Sequence, residues 1–264
     1  MVNKMQSALI RKELKGIISG NRSFFLDYLL LPLIMALILP VGSVLLVVFT
    51  DGGAEFEQIM ALMMISMPEG GEDLAVIQML INNVMPMFFL MIPALTATVL
   101  ATASFTGEKE RRTLETLLYS PMSLREIFNA KVIGALLLGM IATVVSFVVM
   151  MGVVALLVGL LLGELFIPDL VWLVVIGLVA PAFSFLGIIV QVRVSAKAKS
   201  SEEAYQRGAI LVLPLIMLMI SQFTGVLLIS TWMFVVLGVI LALLAWGLMR
   251  VAFRKFTYEE LLKG

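Results

Sequence analysis

Cut at its long apolar runs, this sequence places every Lys and Arg it has in alternate segments. The runs span roughly 28–49, 84–105, 132–162, 170–190, 208–229 and 232–251. Each reaches or exceeds the roughly 20 residues a helix needs to cross a hydrocarbon core of about 30 Å. Five basic residues precede the first run (Lys4, Arg11, Lys12, Lys15, Arg22) and five lie between the second and third (Lys109, Arg111, Arg112, Arg125, Lys131). Four more lie between the fourth and fifth (Arg193, Lys197, Lys199, Arg207), and four at the C-terminal end (Arg250, Arg254, Lys255, Lys263). The other side, 50–83 with the short links 163–169 and 230–231, has eight acidic residues and no basic one. Lys and Arg in short loops set membrane orientation, whereas Asp and Glu contribute little. The pattern therefore predicts an all-α integral membrane protein with six transmembrane helices, seated in the cell membrane with both termini cytoplasmic. A charged fraction of 14% agrees, because soluble domains carry about 25%.

Residue types that are missing narrow the chemistry. The chain has no Cys and no His, which excludes disulfides, thiol nucleophiles, Cys/His zinc sites and a histidine general base. No G-x-x-x-x-G-K-[ST] stretch is present to cradle nucleotide phosphates. The opening "MVNKMQSALIRKELKG" is too charged for the apolar core of a signal peptide, so the first run is expected to stay as an anchor. Ionisable side chains are absent from the spans until their very ends, although ion-coupled transporters usually place them within. A lipid-modifying enzyme would need such groups clustered at the bilayer boundary, and Asp27, Tyr28, Glu164 and Asp169 are scattered.

Punctuation fills in the segments between spans. Ser123 with Glu126 has capping-box spacing, which starts a helix at Leu124 running into the third span; Ser200 with Glu203 repeats the pattern before the fifth, and Asp169 suits the N-cap of the fourth. Prolines 32, 40, 86, 93, 181 and 214 fall inside spans and predict kinks that neighbouring helices accommodate. Within 1–22, Ile10, Leu14, Ile17 and Ile18 share one face opposite Lys4, Arg11, Lys12 and Lys15, the pattern of an interfacial helix or of a solvated basic arm. Residues 50–83 read as an external helical hairpin around "PEGGED". Its Met residues at 60, 63, 64, 67 and 79 suit either Cu(I) binding or an adaptable greasy surface. Polar residues available to line a permeation route are few, among them Asn82, Asn83 and Gln191, and this favours an amphiphilic or hydrophobic cargo.

The densest charge lies in "TGEKERRTLETLLYSPMSLREIFNAK", residues 106–131, with five basic and four acidic side chains. Leu114, Leu117 and Leu118 share a helical face, while Glu108, Arg111, Arg112 and Glu115 pair at i+3 or i+4 on the others. A short helix over 106–123 with a leucine stripe and self-paired charges is what a docking surface for a soluble protein needs, whereas a solvated loop that merely enforces topology would require the charges but not the leucines.

This stretch, read on to Leu137, resembles the signature of ABC-2 type permeases, the transmembrane subunits of ATP-binding-cassette exporters. The later "SAKAKSSEEAYQRGAILVLPLIM" is similar to the second cytoplasmic loop of their sodium and drug exporter subgroup. Arg112 stands where the family often has Gly, and the external hairpin is not part of its common pattern. The resemblance implies a single permease domain over 1–264 that pairs with a second copy or a sister permease, each docking a cytoplasmic ABC ATPase. That ATPase would hold the ATP and Mg, leaving this chain with no cofactor, metal or catalytic residue of its own. It further implies that 106–123 is the coupling helix, with Glu108, Glu110, Arg112, Thr113, Glu115, Leu117 and Leu118 against the ATPase and Glu203 and Ala204 nearby. The cargo would be a drug, a peptide, a lipid-like molecule or an ion. A non-transporting membrane scaffold or immunity protein that recruits a cytoplasmic partner through the same helix is the alternative.

Overall fold

A computed structural model of the chain describes residues 30–50, 73–110, 123–198, 200–223 and 230–255. Among them there is no strand, and six helices are long and apolar enough to cross a membrane. The first is α1, Leu31–Phe49. The second is built from α2 (Asp73–Met79), a π-helical turn (Leu80–Val84), α3 (Met85–Phe89) and α4 (Met91–Glu110). The third is α5, Leu124–Leu161. The fourth joins α6 (Leu170–Val174), a second π turn (Val175–Val179) and α7 (Ala180–Lys197). α8 (Ser201–Gly208), a 3-10 turn (Ala209–Leu211) and α9 (Leu213–Phe223) make the fifth, and α10, Thr231–Lys255, the sixth.

The second span is longer than its apolar run. Its helical path begins at Asp73, and Val76, Ile77, Leu80 and Ile81 are buried in the bundle core. The second arm of the expected hairpin is thus the acidic-side end of this span, held there by apolar side chains that a surface hairpin would leave exposed. The first arm, within 51–72, and the interfacial helix over 1–22 lie outside the described residues.

Prolines explain where the helices widen. Proline has no N–H, and its ring crowds the carbonyl one turn back. Pro86 and Pro181 each stand just after a π turn, closed by bonds from Met85 N–H to Leu80 C=O and from Ala180 N–H to Val175 C=O, five residues back. Pro93 follows a break at Leu90, whose N–H bonds to Pro86 C=O. Of the expected kinks, those at Pro86 and Pro181 thus take the form of wide turns in the acidic-end halves of spans two and four, whereas Pro32 and Pro40 lie within the unbroken α1 and Pro214 follows a 3-10 turn.

Those two spans form the centre. α4 and α7 share the most extensive helix pairing, and the approach is close because the facing residues are small: a Cβ added at Gly187 would sit 3.2 Å from Ala97 Cβ. Small residues let helices meet backbone to backbone in lipid, where hydrophobicity does not drive helix to helix. Toward the acidic end, Phe89, Phe147 and Trp172, one from each of spans two to four, pack with centroids 5.4–6.1 Å apart. Above them Asn82 Oδ1 accepts from Trp172 Nε1 at 3.2 Å and from the Asp169 N–H at 3.1 Å, while the Asp169 carboxylate caps Leu170 at 2.6 Å. This latch ties the first π turn to the start of the fourth span. α1, α9 and α10 instead present exposed apolar faces, including Ile38, Met217 and Leu243, as lipid-facing helices must.

α10 leans on the second π turn through Gly238, where an added Cβ would lie 2.7 Å from Leu178 Cγ. Gly238→Val should cost about 1–3 kcal/mol through overpacking, read as a lower midpoint of thermal unfolding in detergent. An unchanged midpoint would show that α10 is free to shift.

Candidate functional site

At the basic end of the bundle, four elements meet around two buried polar side chains. The first belongs to the start of α5. Ser123 accepts from the Glu126 N–H at 3.3 Å, and the Glu126 carboxylate accepts from the Ser123 N–H at 2.9 Å and its hydroxyl at 2.8 Å, a complete capping box. At 38 residues, α5 is about 57 Å long against a hydrocarbon core of about 30 Å. Two turns after the cap, Lys131 is 2% exposed. Its ammonium donates to the Ser104 carbonyl near the end of α4 and stands 5.2 Å from the centroid of the Phe105 ring, which packs on Phe128. A charge this deep is tolerated only where carbonyl and aromatic partners replace water. Lys131 thus joins the last turns of span two to the first turns of span three, the two legs between which 111–122 runs.

The second buried group is Gln191, fully enclosed on α7. Its amide nitrogen donates to Thr102 Oγ1 on α4 at 2.7 Å and to the Ala204 carbonyl on α8 at 2.8 Å. Thr102 in turn donates a hydrogen bond from its hydroxyl to the Thr98 carbonyl at 2.9 Å. α8 reaches this depth because its inward face is nearly bare. Ala204 is fully buried, and one turn on, a Cβ at Gly208 would collide with Gln191 Oε1 at 2.0 Å and Thr98 Cγ2 at 2.9 Å. Its outward face is polar. Ser200 caps α8 by accepting from the Glu203 N–H at 3.2 Å, and Glu203 pairs with Arg207 at 2.6 Å. An exposed pair of this kind contributes only about 0.3–0.5 kcal/mol, so α8 is held by its small-residue face and the amide.

Cations also line the adjoining rim. Arg193 donates to the Leu248 carbonyl at 2.9 Å, and the Arg250 guanidinium lies 3.6 Å over the Trp246 ring. Buried oxygens without a hydrogen-bond partner among the described residues also gather at this end: Thr106 Oγ1, Asn129 Oδ1, Gln191 Oε1 and Ser195 Oγ. Native interiors keep such atoms few.

Of the residues expected to meet an ATPase, Glu203 and Ala204 both lie on α8, the first outward and the second inward. Glu108 and Glu110 belong to the last turn of α4, which continues past the expected start of the coupling helix. Arg112, Thr113, Glu115, Leu117 and Leu118 lie outside the described residues. Gln191, expected along a permeation route, is instead a clasp inside the bundle. The i, i+4 spacing of Ala204 and Gly208 beside an apolar run was the available sign that α8 packs inward.

Removing the cap in Ser123→Ala should destabilise the first turn of α5 by about 0.5–2 kcal/mol. Amide exchange at Glu126 and Ile127 would then speed up while the middle of α5 keeps its protection; equal speeding along α5 would refute a local cap.

A family model described as ABC-2 family transporter protein matches residues 7–231. No curated protein and no solved structure matches the chain.

Proposed function

Because the chain belongs to the ABC-2 family of transporter proteins and so is a multi-pass permease subunit of an ABC transporter, we propose that it forms the membrane half of an ATP-driven exporter. Permeases of this family normally work with a cytoplasmic ATP-binding subunit and are generally not catalytic. In our reading the ATPase is a separate polypeptide, a second permease completes the complex, and the basic end faces the cytoplasm. The observation that carries it is the convergence of both loop ends at that end of the bundle. Lys131 and Gln191 join spans two, three and four to α8 beside the segment that begins at Glu108.

A force on either loop then reaches helix ends tied to one another rather than independent ones. ATP-driven closure of the ATPases would move segment 106–123 and α8, and the stiff start of α5 would carry that motion into the membrane as a tilt. The wide turns before Pro86 and Pro181 supply compliance in the outer halves of the two central spans. Spans without ionisable side chains in their interiors suit an amphiphilic or hydrophobic cargo better than a bare ion.

Purified in mild detergent from its native membrane, the tagged chain should bring down a P-loop ATPase and ATP hydrolysis. Glu115→Lys, which reverses a charge on the expected docking face, should release most of the ATPase while the permease stays folded. Recovery of an intact permease without ATPase would favour the scaffold reading.

A further inference from the structure

We infer that Gln191 is the positioning residue that makes the two cytoplasmic loops act as one coupling unit, by clasping α8 to span two. The inference rests on the permease reading above and assigns the residue through which α8 communicates with the segment beginning at Glu108.

The connections of α8 favour this role. Behind it, the chain passes to span five through a 3-10 turn, Ala209–Leu211, and Pro214 leaves the Ile210 carbonyl without its usual helical donor. α8 is therefore mechanically separable from the span it precedes. Its firm attachment is lateral, onto α4 and α7. There one side-chain amide spends both N–H groups on two different elements, Thr102 of α4 and the Ala204 carbonyl of α8.

The same amide is an uneconomical way to fill space. Gln191 Oε1 has no hydrogen-bond partner among the described residues and presses on Gly208, where no side chain larger than hydrogen fits. Leucine or methionine would fill the volume without burying an unpaired oxygen, a cost of about 1–3 kcal/mol. The feature an apolar residue cannot reproduce is the two-way grip. From Thr102, α4 continues for two turns to Glu108 and Glu110. A displacement of α8 is therefore delivered to span two at Thr102, beside the first loop, and the reverse holds equally.

The chain has no cysteine, so two can be introduced without background. With Gln206→Cys on the outward face of α8 and Ala103→Cys on α4, the permease is spin-labelled, recombined with its ATPase and measured by pulsed electron resonance, nucleotide-free and with ATP plus vanadate. With Gln191 present, one narrow distance should persist in both states. Gln191→Met and Thr102→Val should each shift the docked population of α8 by roughly three- to tenfold, the effect of one interhelical hydrogen bond in a membrane protein, most clearly with ATP plus vanadate. Thr102→Ser, which keeps the accepting hydroxyl, should restore the narrow distance. ATPase binding should be equal in all four proteins, separating lost coupling from a misfolded permease. Distances unchanged in Gln191→Met and Thr102→Val with ATPase bound would overturn the clasp and leave the permease reading standing. A well-folded parent that binds no ATPase would overturn both.

Discussion

In hydrocarbon a polar group has no water to fall back on, and the rest of this structure follows from that. Backbone amides are satisfied within helices, and before Pro86 and Pro181 the helix widens into a π turn, so that an N–H five residues on reaches back to a carbonyl. Threonine hydroxyls inside the bundle bond back to carbonyls three or four residues earlier, as at Thr96, Thr98 and Thr143. Several side chains, Lys131, Gln191, Asn82 and Arg193 among them, reach across to another helix instead. Those cross-helix bonds act together with the close packing at Gly187, Gly208 and Gly238 to set how the spans sit together.

Their distribution divides the bundle by task. At the acidic end, Asn82 and the Phe89, Phe147 and Trp172 rings bind spans two to four beside wide turns. At the basic end, Lys131 and Gln191 bind the same spans to each other and to α8. Permeases of this family normally work with a cytoplasmic ATP-binding subunit, and under our proposal the basic end, where Lys131 and Gln191 tie the helix ends together, is the one that receives its force.

Much of this was legible in residue order because its causes are local. Hydropathy runs give the spans, and Ser123 with Glu126, Ser200 and Asp169 mark helix starts by short-range hydrogen bonds. Pro86 and Pro181 signalled a disturbance, but its form as a π turn depends on packing by neighbouring helices. The inward course of 73–83 was hidden because an apolar hairpin at the interface and the end of a span have the same composition. Gln191 was misplaced for a related reason: its partners are 89 and 13 residues away, and an amide in an apolar run looks the same whether it faces a pathway or a neighbouring helix.

If α8 and the segment beginning at Glu108 receive force from one ATPase, both should touch it in the intact membrane. A photo-crosslinking residue would be placed in turn at Gln206 and at Leu118, native membranes irradiated, and the adducts identified by mass spectrometry. Both positions should capture the same P-loop ATP-binding protein. Capture of lipid alone, or of a partner with no nucleotide-binding motif, would contradict it.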